Sequence, residues 1–152
     1  MPQTTLPAGI DVLFVAGFGP IVKDRKASEH LYRDLLRLPL ESIEGYDGYW
    51  HTGKVGGVRH FALWPLDKAA HSCFGRDDWP ADLPVPQSWL EMDVADIKAA
   101  TRILEQAGCR LLTRLREEPW GQTVTRFLSP EGILMAVTHT PFLREEKKDV
   151  HA

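Results

Sequence analysis

The pattern V-x-D-x-K-A occurs twice in this chain, as Val22, Asp24, Lys26 and Ala27 and again as Val94, Asp96, Lys98 and Ala99. All four positions recur 72 residues later in a chain of 152. A repeat on that scale implies one folding unit used twice, and two such units enclose a space between them.

The flanking segments support the duplication. Residues 10–22 (IDVLFVAGFGPIV) read as a buried strand in which Gly17 and Gly19 leave room for a close neighbour. Asp24 stands where a helix N-cap belongs, and Ala27, Leu31, Leu35 and Leu38 recur at helical spacing, so a helix is predicted over 25–38, stopped by Pro39. Strands near 40–46, 48–55 and 58–65 follow, separated by glycine-rich hairpin turns. The second unit repeats that order. A strand at 87–94 alternates Trp89, Glu91 and Asp93 on one face with Leu90, Met92 and Val94 on the other. Asp96 caps a helix at 97–107 whose buried stripe is Ile97, Ala100, Ile103, Leu104 and Ala107, with Gly108 as its C-cap. Strands near 109–116, 122–128 and 133–139 close the unit. The expected fold is α+β: one domain over 1–152, built as two tandem βαβββ modules (10–65 and 87–142) that form a curved-sheet cleft. A Pro- and charge-rich linker at 66–86, with room for a local turn of helix, joins them. A charged tail at 143–152 ends the chain.

Bulk properties exclude some classes. The net charge of −3 leaves no basic excess for a nucleic-acid partner. No apolar run approaches the ~20 residues of a membrane helix. No signal-peptide pattern opens the chain, and Cys73 and Cys109 make no disulfide framework, so a cytoplasmic protein with free thiols is expected. There is no phosphate-cradling loop and no dinucleotide fingerprint.

The segments VKDRKASEHLYRDLLRLPL (Val22 to Leu40), EMDVADIKAATRILEQAGCRLL (Glu91 to Leu112) and PWGQTVTRFLSPEGILMAVT (Pro119 to Thr138) resemble the vicinal oxygen chelate superfamily of glyoxalase I, extradiol dioxygenases and bleomycin-resistance proteins. The most specific of them is the last, where S-P-E-G before a closing strand is similar to the family's D-P-x-G turn. The resemblance implies the same βαβββ pair over roughly residues 10–142. Metal-using members carry one ligand on the first and one on the last strand of each module. By spacing, those positions fall at Gly17, Trp64, Trp89 and Ala136. Glycine, alanine and indole offer a divalent ion no lone pair, so no metal and no cofactor is expected. A displaced site using His51, His60 or Glu91 lacks any H-x-H or H-x-x-x-H spacing to support it.

The side chains expected in the cleft are Trp64, Trp89, His60, Glu91, Leu134 and Thr138, with Trp50 and Gln122. Indole faces bind flat rings and cations, and Glu91 suits a cationic group. Trp64 and Trp89 could equally fill the space a metal centre would have taken. The resulting expectation is a metal-free binding protein for an aromatic or cationic small molecule, paired as a homodimer. The alternative is a metal-dependent lyase, isomerase or dioxygenase of the same superfamily with a displaced ligand set. A third is an accessory module whose cleft is closed.

Overall fold

The computed structural model describes residues 9–144. One eight-stranded sheet runs in the order β2-β3-β4-β1-β5-β8-β7-β6. The first module supplies β1 (Val12–Val22), α1 (Arg25–Glu29), β2 (Glu41–Ile43), β3 (Tyr46–Thr52) and β4 (Phe61–Pro65). The second supplies β5 (Ser88–Val94), α3 (Ile97–Gln106), β6 (Leu111–Glu117), β7 (Thr123–Leu128) and β8 (Leu134–His139). Between them lies α2 (Leu66–Phe74).

The modules meet through the antiparallel pair β1 and β5, where Phe18 faces Leu90. Those two residues are themselves 72 apart, so the local two-fold axis passes between them. Parallel partners flank the pair: Phe61 of β4 sits beside Phe18, and Met135 of β8 beside Leu90. Phe61 and Met135 are 74 apart, not 72. The second module therefore carries two extra residues before its last strand. The expected equivalence of Trp64 with Ala136 is corrected accordingly: Trp64 matches Thr138, and Ala136 matches Ala62.

Both repeated aspartates cap helices. Asp24 Oδ1 accepts from the Ala27 amide at 3.1 Å, and Asp96 Oδ1 from the Ala99 amide at 3.0 Å. Beyond the caps the helices differ. α3 is regular and buries Ala100, Thr101 and Leu104 against Val94 and Val137 on the outer face of the sheet. Ala107 lies beyond its last turn and is exposed, contrary to the expected stripe. The predicted 25–38 helix is instead α1 continued by one π-helical segment, His30–Leu35, closed by the Leu36 amide on the Leu31 carbonyl. That wider turn shifts the spacing, so Leu31 and Leu35 are exposed and neither segment buries a residue. Arg37, at φ 53, turns the chain out of the helix ahead of Pro39.

The 66–86 segment holds more order than its composition suggests. α2 places Ala69, Ala70 and Cys73 on one buried stripe. It lies on the inner face, packed with Ile21, Ala62, Trp89 and Leu134. Module two grips its last turn: Thr113 donates to the Cys73 carbonyl and Arg116 to that of Ser72. Of the tail, Arg144 is anchored to Asp93 at 2.6 Å. Leu143 beside it is buried, and residues 145–152 lie outside the described residues.

Candidate functional site

Alternation along the strands decides what faces inward. From β5 come Trp89, Glu91 and Asp93; from β8, Leu134, Ala136 and Thr138; from β7, Val124 and Arg126. From module one come Ala62 and Trp64, with His60 just before β4, and Tyr49 and His51 of β3 opposite them. Curvature closes the space. Tyr46, near one edge of the sheet, touches Trp120, in the β6–β7 connection at the other edge, with ring centroids 6.4 Å apart.

One end of this inner space is packed. The Trp89 indole, 3% exposed, donates to the Ala62 carbonyl at 3.1 Å and meets Trp64 edge to face at 6.1 Å. Gly17 and Gly19 make room for it. A Cβ on Gly17 would lie 3.0 Å from the far ring carbon of Trp89 and 2.6 Å from the His60 carbonyl, and a Cβ on Gly19 would lie 3.0 Å from the indole nitrogen. The close neighbours at these glycines are thus the backbone carbonyls of His60 and Ala62 and, behind them, a tryptophan of the same chain. α2 covers what remains. Cys73, on the buried side of α2, is a thiol whose ionisation burial pushes upward, so it is a poor nucleophile.

The other end is polar and half-open. Tyr49 Oη bonds His60 Nε2 at 2.8 Å. Tyr49 stacks on His51 at 6.0 Å, and His60 lies 6.1 Å from Trp89. Burial and the neighbouring His51 pull His60 down to about 4, so it is neutral at pH 7 and the hydroxyl of Tyr49 is free to donate to it. Burial, then the charge of Glu91, push the Tyr49 phenol up, so it too stays protonated. Glu91 accepts from Gln122 Nε2 at 2.9 Å, Gln122 Nε2 also donates to Thr140, and Gln122 Oε1 accepts from Trp120 Nε1 at 2.9 Å. Burial raises the Glu91 carboxyl, opposed by Arg126 and by the Gln122 bond.

Between the two ends lies Arg126. It is paired to the equally buried Glu118 at 3.0 Å, and its guanidinium sits 5.4 Å from the Trp64 ring. Its Nε is buried without a hydrogen-bond partner among the described residues, a deficit of about 1–3 kcal/mol that the ring contact offsets in part.

Of the sequence-predicted residues, Trp64, Trp89, His60, Glu91, Gln122, Leu134 and Thr138 come to this inner face. Thr138 is engaged by Asp93, to which it donates at 2.7 Å. Trp50 does not come. It packs with the outer-face cluster of Phe61 and Leu63, under the Arg33 guanidinium at 3.9 Å. The reason is parity: Trp50 is paired with Leu63, one residue out of phase with His51. Sequence reasoning missed Tyr49 and Arg126, although both follow from the same alternation once the strand registers are known.

The donor set for a family metal does not fit. With the corrected register the positions are Gly17 and Trp89 with either Ala62 and Ala136 or Trp64 and Thr138. Only the Thr138 hydroxyl among these side chains has a lone pair to give, and it is engaged by Asp93. Among the described residues no three His, Cys, Asp or Glu side chains form a group that could hold an ion.

The family model of the Glyoxalase/Bleomycin resistance protein/Dioxygenase superfamily matches residues 18–137, and the chain belongs to that superfamily. Solved structures share its fold. A superfamily member from Vibrio splendidus 12B01 is 16% identical, with TM-score 0.57, covering 83% of this chain and 97% of its own. Methylmalonyl-CoA epimerase from Mycobacterium tuberculosis is 18% identical, with TM-score 0.51, covering 93% and 97%. No curated relative matches the chain. Among the described residues no helix is long and apolar enough to cross a membrane.

Proposed function

We propose that this protein binds a small aromatic or cationic molecule on the inner face of its sheet and works without a resident metal. The observation that carries the reading is the convergence of Tyr49 and His60 from one module with Glu91 and Gln122 from the other, on one ring-walled and hydrogen-bonded surface. Such a mix of apolar wall and few placed polar groups is what small-molecule sites use. Gly17 and Trp89, with Ala62 and Ala136 or with Trp64 and the engaged Thr138, support a site with no metal in the family place. In this reading Tyr49, His51, His60 and Glu91 contact the ligand and Gln122 holds Glu91 in place, while Trp64, Trp89, Leu134 and Thr138 hold the floor on which they stand. Two free thiols and no disulfide among the described residues fit a reducing cytoplasm.

The test is quenching of tryptophan fluorescence by 2-phenylethanol, a neutral aromatic probe. Saturable quenching is expected, weakened more by Trp89→Phe than by Trp79→Phe. Equal weakening would remove the site from the inner face.

A homodimer belongs to the same proposal. Val12, Val15, Phe18 and Leu35, all of module one, are 45–63% exposed, and a second copy would cover them. A stable dimer buries about 1,600 Å² in total. Sedimentation at twice the chain mass is the expected result, and a monomer at all concentrations would contradict it.

A further inference from the structure

We infer that the ligand group recognised at this site is a protonated amine, seated on the unpaired oxygen of Glu91. The inference rests on the inner-face reading above and names its ligand class. Four carboxylates or guanidinium groups on the inner face are already matched: Glu118 with Arg126 at 3.0 Å, and Asp93 with Arg144 at 2.6 Å. Glu91 is different. Among the described residues no Lys, Arg or His nitrogen lies within 4.0 Å of it, and its one bond is from a neutral amide.

That amide has nothing more to give. An indole N–H can only donate, so Trp120 fixes Oε1 of Gln122 as the acceptor and turns Nε2 toward Glu91 and Thr140. Gln122 thus spends both its donor and its acceptor within the protein, and it holds Glu91 Oε1 in place. The second carboxylate oxygen keeps its full accepting capacity. The Tyr49 ring is near enough to feel the Glu91 charge and continues through His60 into the ring wall, whose faces favour a cation. Arg126, whose charge also reaches Glu91, is already held by Glu118. An anionic ligand would meet Glu91 with like charge, and a neutral one would leave a half-buried charge unpaired. An ammonium with an N–H to donate completes the site, and an aromatic body behind it lies on the ring wall.

The test uses three probes with the same phenylethyl body and different charge: 2-phenylethylamine, 2-phenylethanol and 3-phenylpropionate. Their binding to the full chain is read by tryptophan quenching at neutral pH. The expected order is amine about tenfold or more tighter than alcohol, with the carboxylate weakest. Glu91→Gln, which keeps shape and an acceptor for Gln122, should weaken the amine about tenfold or more and the alcohol by clearly less, so that the gap between the two probes closes. Equal affinity of amine and alcohol for the unaltered protein overturns the amine assignment while the inner-face reading stands. An amine preference that survives Glu91→Gln also overturns it. No saturable binding of any probe overturns both. The comparison among probes on the unaltered chain holds even if the variant does not fold.

Discussion

The two modules share a topology and a capped helix, yet they do different work. Module two is built as an anchor. Its helix α3 buries Ala100, Thr101 and Leu104, and its inner face locks Glu118 to Arg126 and Asp93 to Arg144. Module one is looser. Its helix is one short α segment running into a π-helical turn, with no buried residue and with Leu31, Leu35 and Leu36 exposed. It supplies the open rim of the cleft: Tyr46, Tyr49, His51 and His60. A duplicated unit can thus spend one copy on stability and leave the other free to carry recognition, because only one of the two faces needs a fully packed cover.

That contrast can be broken by measurement. The largest effect should come from the tryptophan that joins the modules. Trp89→Ala is expected to cost about 3–5 kcal/mol in urea unfolding, against clearly less for the half-buried Trp79→Ala. Next comes the helix pair. Leu104→Ala, at 8% exposure, should cost about 2–5 kcal/mol, whereas Leu35→Ala, at 63%, should stay within about 0.5 kcal/mol. Similar losses at the two sites would end the anchor-and-rim distinction.

The pH dependence sharpens it further. His60 sits at about 4 in the fold and near 6.5 when unfolded. As pH falls between those values the unfolded chain takes up a proton that the folded chain refuses, so stability falls. The loss is up to about 3 kcal/mol and is complete below about pH 4. His60→Gln should flatten the stability profile in that window, and an unchanged profile would place His60 in water. The smallest effect concerns the repeated caps. Asp96→Ala should cost about 1 kcal/mol, and Asp24→Ala less, because the helix it caps buries nothing. Equal costs, read by thermal unfolding, would mean the first helix contributes as much as the second.

Much of this was legible in the sequence, and the failures have local causes. The repeat placed both caps, the central strands and the inward face of β5 correctly, since Trp89, Glu91 and Asp93 alternate without a break. The fixed 72-residue offset paired Trp64 with Ala136, where the register pairs Trp64 with Thr138. An insertion of two residues is invisible to an offset drawn from the helix caps. Trp50 was misplaced for a related reason: a one-residue phase error in a strand moves a side chain to the other face. α2 was hidden by its surroundings. Leu66, Ala69, Ala70 and Cys73 stand at i, i+3, i+4 and i+7, a complete helical stripe. The prolines and aspartates that follow drew the whole segment toward a linker reading. The π-helical turn had no such signal, because Leu31, Leu35 and Leu38 fit an ordinary helix equally well. The Tyr49–His60 bond and the Arg126–Glu118 pair join neighbouring strands or their ends, β3 with β4 and β6 with β7, and they depend on strand registers that the repeat alone does not fix.

The most direct test of the central claim is the metal content of the purified protein, by elemental analysis before and after a chelator wash, paired with 2-phenylethanol quenching on both samples. The account predicts no stoichiometric divalent metal and the same quenching curve before and after the wash. One equivalent of zinc, iron, nickel or manganese per chain, lost to the chelator together with probe binding, would contradict it.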